Sequence, residues 1–91
     1  MERITAVAKG QVQGVGYRYF VAECAHATGV HGFVQNLPDG TVKMIAESSP
    51  AALDDFIHLA HAGNDPVIRV EEIAVKKGPA TGEFHGFFVA W

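Results

Sequence analysis

Apolar and polar residues alternate over residues 3–9: Ile4, Ala6 and Ala8 fall on one side, Thr5, Val7 and Lys9 on the other. A period of two predicts a strand with one buried face. The alternation then gives way to a glycine-rich stretch, Gly10-Gln11-Val12-Gln13-Gly14-Val15-Gly16. Beyond it the period lengthens. Tyr17, Val21, Cys24, Ala25 and Thr28 recur at helical spacing, which predicts a helix over residues 17–28. Gly29 stands where a left-handed residue ends such a helix, with Val30 as its apolar follower.

Residues 31–36 read as a second strand and 41–47 as a third. Leu37-Pro38-Asp39-Gly40 is the hairpin turn between them, because Asp-Gly supplies the positive φ such a turn needs. Ser49 suits an N-cap, Pro50 the first helical position, and Asp54 and Asp55 the positive end of a second helix. Leu53, Phe56, Ile57 and Ala60 form its apolar stripe, and Gly63 is expected to close it. Residues 67–77 read as a fourth strand whose alternation slips at Glu71-Glu72, and residues 84–91 as a fifth returning along the sheet. This order predicts a single domain over residues 1–91 of α+β class. It is a ferredoxin-like split βαβ sandwich, with an antiparallel sheet of four to five strands and two helices on one face. A right-handed first crossover makes the first two strands parallel, with the third between them. Their carboxyl ends, which carry the glycine-rich loop and Asn36, then meet at one end of the sheet.

Composition narrows the function classes. At 91 residues and 48% hydrophobic, the chain has enough apolar surface for one core. A net charge of -3 argues against nucleic acid or an anionic membrane as partner. The single cysteine, Cys24, excludes an internal disulfide and falls on the apolar side of a helix. No apolar run approaches the ~20 residues of a membrane helix. Met1-Glu2-Arg3 leads straight into a strand without a signal-peptide pattern, so a cytoplasmic location is expected.

The candidate chemistry lies where the glycine-rich loop enters the first helix. Glycines let successive amides converge on an anion, and a helix start adds unpaired N–H groups. Arg18, in the first turn, carries a guanidinium that can grip two phosphoryl oxygens. Spacing alone equally allows a tight turn with a solvated arginine. Known nucleotide loops do not fit: Gly16-Tyr17-Arg18 lacks the lysine and hydroxyl of a P-loop, and Tyr19 replaces the closing glycine of a dinucleotide fingerprint. His58 and His61, with Asp54 one turn before, invite a metal, but histidines near a helix C-terminus have a simpler explanation in its negative end. No metal is expected. His26, His31 and His85 are scattered. Glu71-Glu72 and Lys76-Lys77 read as solvated, and Phe87, Phe88 and Trp91 as core and edge packing.

Two stretches carry a family resemblance. Residues 10–18, ending in Gly16-Tyr17-Arg18, resemble the first acylphosphatase signature. Residues 32–42, Gly32-Phe33-Val34-Gln35-Asn36-Leu37-Pro38-Asp39-Gly40-Thr41-Val42, resemble the second. The resemblance spans the whole chain. It implies a cofactor-free hydrolase that splits acyl phosphates into carboxylate and phosphate. Arg18 would be the phosphate-binding arginine and Asn36 the water-orienting asparagine. Substrate-binding positions would be Gln11, Val12, Gln13, Gly14, Val15, Gly16 and Arg18. Its partner would be a small acyl phosphate, with no nucleic acid, no membrane and a monomeric state. Gln11 stands where the family often has a basic residue, and Phe33 where tryptophan is frequent. Competing readings are a non-catalytic ligand-binding regulatory domain of the same fold, an RNA module built on the aromatics, and a carbamoyl-phosphate-handling domain of a larger maturation enzyme. The chain ends in a closing strand, which favours a freestanding enzyme.

Overall fold

A computed structural model describes all residues, 1–91. The elements are β1 (Glu2–Gln11), α1 (Tyr17–Thr28), β2 (His31–Asn36), β3 (Val42–Ser48), α2 (Pro50–Ala60), β4 (Arg69–Pro79) and β5 (Phe87–Ala90). The five strands form one sheet in the order β4-β1-β3-β2-β5. β3 pairs antiparallel with both β1 and β2, so β1 and β2 run parallel as the crossover rule requires. Ile4, Ala6 and Ala8 of β1, Val42, Met44 and Ala46 of β3, and Val34 of β2 are buried on one face. Against them lie Tyr17, Val21, Cys24 and Ala25 of α1 and Leu53, Phe56 and Ala60 of α2. The strand period of two and the helical stripes thus close on one another as a two-layer core.

Several boundaries differ from the sequence reading, each for a local reason. The third strand starts at Val42 because the Asp39 carboxylate captures both the amide and the hydroxyl of Thr41. The fourth starts at Arg69 because Asp65 Oδ1 accepts from the amides of Val67 and Ile68. α2 ends at Ala60, and Ala62 rather than Gly63 takes the left-handed conformation, at φ 53°. Ala62 is buried, so the turn keeps a methyl in the core at a conformational cost of ~1 kcal/mol. The slip near Glu71-Glu72 is a β-bulge: Lys9 faces Glu72 and Gly10 faces Val70, which leaves Glu71 unpaired. Gly10 sits at φ 131° there, and a Cβ would run into the Arg69 carbonyl.

The sheet is not wholly antiparallel. β5 pairs with β2 in parallel register, Gly32 with Phe87 through Gln35 with Ala90. Residues 80–86 cross one end of the sheet to reach that edge, held by a carboxylate that sequence pattern gave no reason to notice. Glu47, only 3% exposed, accepts from the Thr81 amide (2.8 Å), the Thr81 hydroxyl (3.2 Å), the Gly82 amide (3.0 Å) and Arg3 Nε (2.8 Å). Burial alone would raise its pKa. The amides of Thr81 and Gly82, with Arg3 and the Thr81 hydroxyl, outweigh burial and hold it at about 2. Phe84 leaves the strand path to pack edge-on against Phe33 beneath Arg3, so β5 starts only at Phe87. The parallel direction carries Ala90 and Trp91 to the end of the sheet where β1 and β2 also finish.

Candidate active site

At that end lies a small cavity of about 130 Å³, lined by Val12, Gly14, Gly16, Tyr17, Arg18, Tyr19 and Asn36. Its floor follows from the local backbone. Gly14 and Gly16 have φ of 74° and 80°, while no residue between Val12 and Tyr17 other than these two has positive φ. Alternating signs of φ turn successive amides toward a common centre, the geometry of an anion nest. The amides of Val12, Gln13, Gly14, Val15 and Gly16 donate to no other backbone group and to no side chain. Gly16 is also the N-cap of α1, without a side chain to occupy the first free N–H groups of the helix. Loop and helix end thus leave a set of donors open to a ligand.

Arg18 is fixed from two sides. Its Nη1 donates to the Ala90 carbonyl at 2.9 Å. The indole of Trp91 lies over the guanidinium, with the ring centroid 4.5 Å from Cζ. The indole contact consumes no hydrogen bond and Ala90 uses one donor, so the remaining guanidinium N–H groups stay available for an anion. Opposite, Asn36 at the end of β2 keeps its Oδ1 buried with no hydrogen-bond partner. A buried acceptor without a partner is costly, and such atoms concentrate where a ligand or water completes the site.

The structure therefore brings together Val12, Gly14, Gly16, Arg18 and Asn36. Gln11, Gln13 and Val15 do not line the cavity. Gln11 belongs to β1 and pairs with Arg69 of β4. The Gln13 side chain turns away and donates to the carbonyls of Leu37 (2.8 Å) and Thr41 (2.9 Å), tying the loop to the hairpin that follows Asn36. Tyr19 and Trp91 were not expected here. Of the three aromatics read as packing, only Phe87 is buried; Phe88 and Trp91 are exposed. Trp91 escaped because its neighbour, Arg18, is reached only through the parallel pairing of β5. Tyr17 is buried and its hydroxyl donates to the Ala60 carbonyl at 2.7 Å, joining the start of α1 to the end of α2. Burial, with a smaller contribution from Cys24, raises its pKa, so the phenol stays protonated. Burial likewise pushes the Cys24 thiol up, assisted by Glu23, which disfavours the thiolate. His58 and His61 lie on α2 and its cap, where His61 Nδ1 is 2.9 Å from the Ile57 carbonyl and no third ligand joins them.

The acylphosphatase family model matches residues 4–89. The chain belongs to the acylphosphatase family. An acylphosphatase of Deinococcus radiodurans is 44% identical over 91% of this chain and 97% of its own. One of Thermus thermophilus is 43% identical over 98% and 99%. The crystal structure of the Bacillus subtilis acylphosphatase superposes with a TM-score of 0.93 at 33% identity, covering both chains completely. Family membership and the matched fold establish an acyl phosphate hydrolase, and a non-catalytic domain of the same fold is not favoured.

Proposed function

We propose that Arg18 and the amides of the Val12–Gly16 loop bind the phosphoryl group, and that Asn36 places the attacking water. The observation that carries this reading is the buried, unpartnered Oδ1 of Asn36 in the same cavity as Arg18. That oxygen can accept from a water and hold its lone pair toward phosphorus. As the water oxygen bonds to phosphorus, the bond from phosphorus to the acyl oxygen breaks and the carboxylate leaves with the electron pair. The water's proton passes to a phosphoryl oxygen, giving dihydrogen phosphate. Charge in this transition state spreads over the phosphoryl oxygens, which is where the loop amides and Arg18 donate. The leaving acid has a pKa of about 4, so it departs without protonation. We read the protein as a monomer acting in the cytoplasm on a small acyl phosphate, without nucleic acid or membrane partners. No helix is long and apolar enough to cross a membrane.

Two substitutions separate the roles. Arg18→Ala is expected to lower kcat/KM for acetyl phosphate by about a thousandfold and to weaken phosphate binding, since a charge-assisted contact is lost in both states. Asn36→Ala is expected to abolish turnover while phosphate binding is largely kept. Rate and phosphate dissociation constant are to be measured on the same samples. Collapse of phosphate binding in folded Asn36→Ala would make Asn36 a phosphate ligand, and near-normal turnover in Arg18→Ala would displace the site altogether.

A further inference from the structure

The two edges of the sheet differ. β5 closes one with four residues, Phe87–Ala90. β4 closes the other with eleven, Arg69–Pro79, and pairs with β1 alone, so the N–H and C=O groups along its outer side meet no strand. Proteins keep such an edge from recruiting other strands with charge, proline or a bulge. β4 carries all three: Pro79 at its end, the bulge at Glu71, and the exposed Glu72, Lys76 and Lys77. Ile73 pairs with Ala8 and Val75 with Ala6, so both lie on the helix side of the sheet. Glu72, Ala74 and Lys76, opposite Lys9, Val7 and Thr5, lie on the open side. α2 packs on α1 and β3 and leaves Val75 39% exposed, beside a groove of about 230 Å³ that Leu53 and Ile57 also line. Neither Glu72 nor Lys76 forms an ion pair within the chain.

We propose that β4 is the pairing edge for a second copy of this chain, joined antiparallel across a two-fold axis that passes through Ala74 normal to the sheet. With the axis there, Glu72 faces the partner's Lys76 on the open side, and Ile73 faces the partner's Val75 on the helix side. Symmetry makes each of these contacts twice. Opposite charges and apolar side chains set directly across from one another are what hold neighbouring strands together. Moving the axis by one residue loses the match. With the axis at Ile73, Glu72 faces the partner's Ala74 and Arg69 the partner's Lys77. With it at Val75, Lys76 faces the partner's Ala74 and Ile73 the partner's Lys77. The bulge at Glu71 and Pro79 lie outside residues 72–76 and limit the match to that stretch. Charges that turn away an arbitrary strand therefore admit this one. The partner's Ile73 covers Val75 and carries the apolar lining of the groove across the joint. So short an interface is weak and dissociates on dilution. The monomer remains the acting species, because every group of the candidate active site comes from one chain.

Sedimentation equilibrium from about 10 μM to about 1 mM, at low and high salt, reads the association directly. The wild type is expected to pass from one chain toward two across that range, and less readily in high salt. Lys76→Glu sets glutamates opposite one another twice and is expected to weaken association about tenfold. Glu72→Lys does the same with lysines. An equimolar mixture of the two variants restores both attractive pairs in every heterodimer and is expected to associate as tightly as the wild type. Amide exchange over residues 72–76 should be slower in concentrated wild-type protein than in dilute protein. Circular dichroism establishes that both variants are folded; should either fail to fold, the exchange pattern needs no variant and decides alone. A wild type that stays a single chain throughout overturns the proposal, as does protection that appears on another element instead of β4. Variants that associate as tightly as the wild type, or a mixture no tighter than either variant alone, overturn the pairing at Ala74.

Discussion

The side chains around the cavity limit what it can do to a leaving group. Arg18 cannot give up a proton at working pH, and the Asn36 amide N–H donates hydrogen bonds but is far too weak an acid to transfer a proton. The Tyr17 hydroxyl is buried and committed to the Ala60 carbonyl. No aspartate, glutamate or histidine lines the cavity. An alkyl phosphate monoester must expel an alkoxide, which needs a proton donor at the departing oxygen. An acyl phosphate expels a carboxylate and needs none. Acetyl phosphate should therefore turn over rapidly and glycerol phosphate negligibly, with both acting as competitive ligands because the loop recognises the phosphoryl group. Turnover of each, and inhibition of one by the other, checks this. Comparable turnover would mean that a proton donor reaches the departing oxygen, either the Tyr19 hydroxyl on the cavity wall or a group from outside the cavity.

At the scale of elements, the loop between β1 and α1 depends on two left-handed residues. A Cβ at Gly14 or Gly16 would meet nothing within 4 Å, so substitution there costs backbone strain and no collision. For an ordinary residue that strain is about 1–2 kcal/mol, enough to tip the loop out of its alternating conformation. Gly16→Val should weaken phosphate binding at least tenfold, and Gly16→Asn much less, because asparagine tolerates the left-handed region. The titration can be followed by the emission of Trp91, the chain's single tryptophan, which sits on Arg18. Equal losses in the two variants would point to side-chain volume instead of φ. The same contrast between local and distant determinants explains what could be read in advance. The β1 alternation, both helical stripes, the Gly29 end of α1 and the Ser49–Pro50 start of α2 are set by residues a few positions apart, and they stand as expected. Arg18 and Asn36 were placed in one site because a single handedness rule relates their strands. The bulge at Glu71 left a trace in the slipped alternation, but its cause, like the direction of β5 and the partner of Trp91, depends on pairings across more than fifty residues. Local spacing carries no record of the last two.

The whole molecule hinges on how residues 80–86 are pinned, because that crossing sets the direction of β5 and so the support beneath Arg18. Glu47 is the pin, and its protonation should govern acid stability. Its ordinary pKa of 4.5 falls to about 2 in the folded protein, although burial opposes the shift, because four donors converge on the ionised form. A carboxylate whose folded pKa is depressed contributes its full stabilisation above the unfolded pKa and loses it as pH falls through the folded value. The denaturation midpoint should therefore hold steady above pH 5.5, one unit above that ordinary value, and decline between pH 4.5 and about 2. Glu83, lowered by Arg3 and Thr81, and Asp39 and Asp65, lowered by local donors, add a shallower slope over the same range. Glu47→Gln removes the charge while keeping one acceptor. It should cost about 3 kcal/mol at neutral pH, because Arg3 loses its buried partner, and it should flatten most of the acid decline. Urea midpoints for both proteins from pH 2 to 8 measure this directly. Parallel curves for wild type and Glu47→Gln would mean that the crossing is held by something other than this carboxylate. If the pin also sets the site, Glu47→Gln should lower kcat/KM at neutral pH through a loosened Ala90–Trp91 end, although Glu47 lies at the opposite end of the sheet from Arg18.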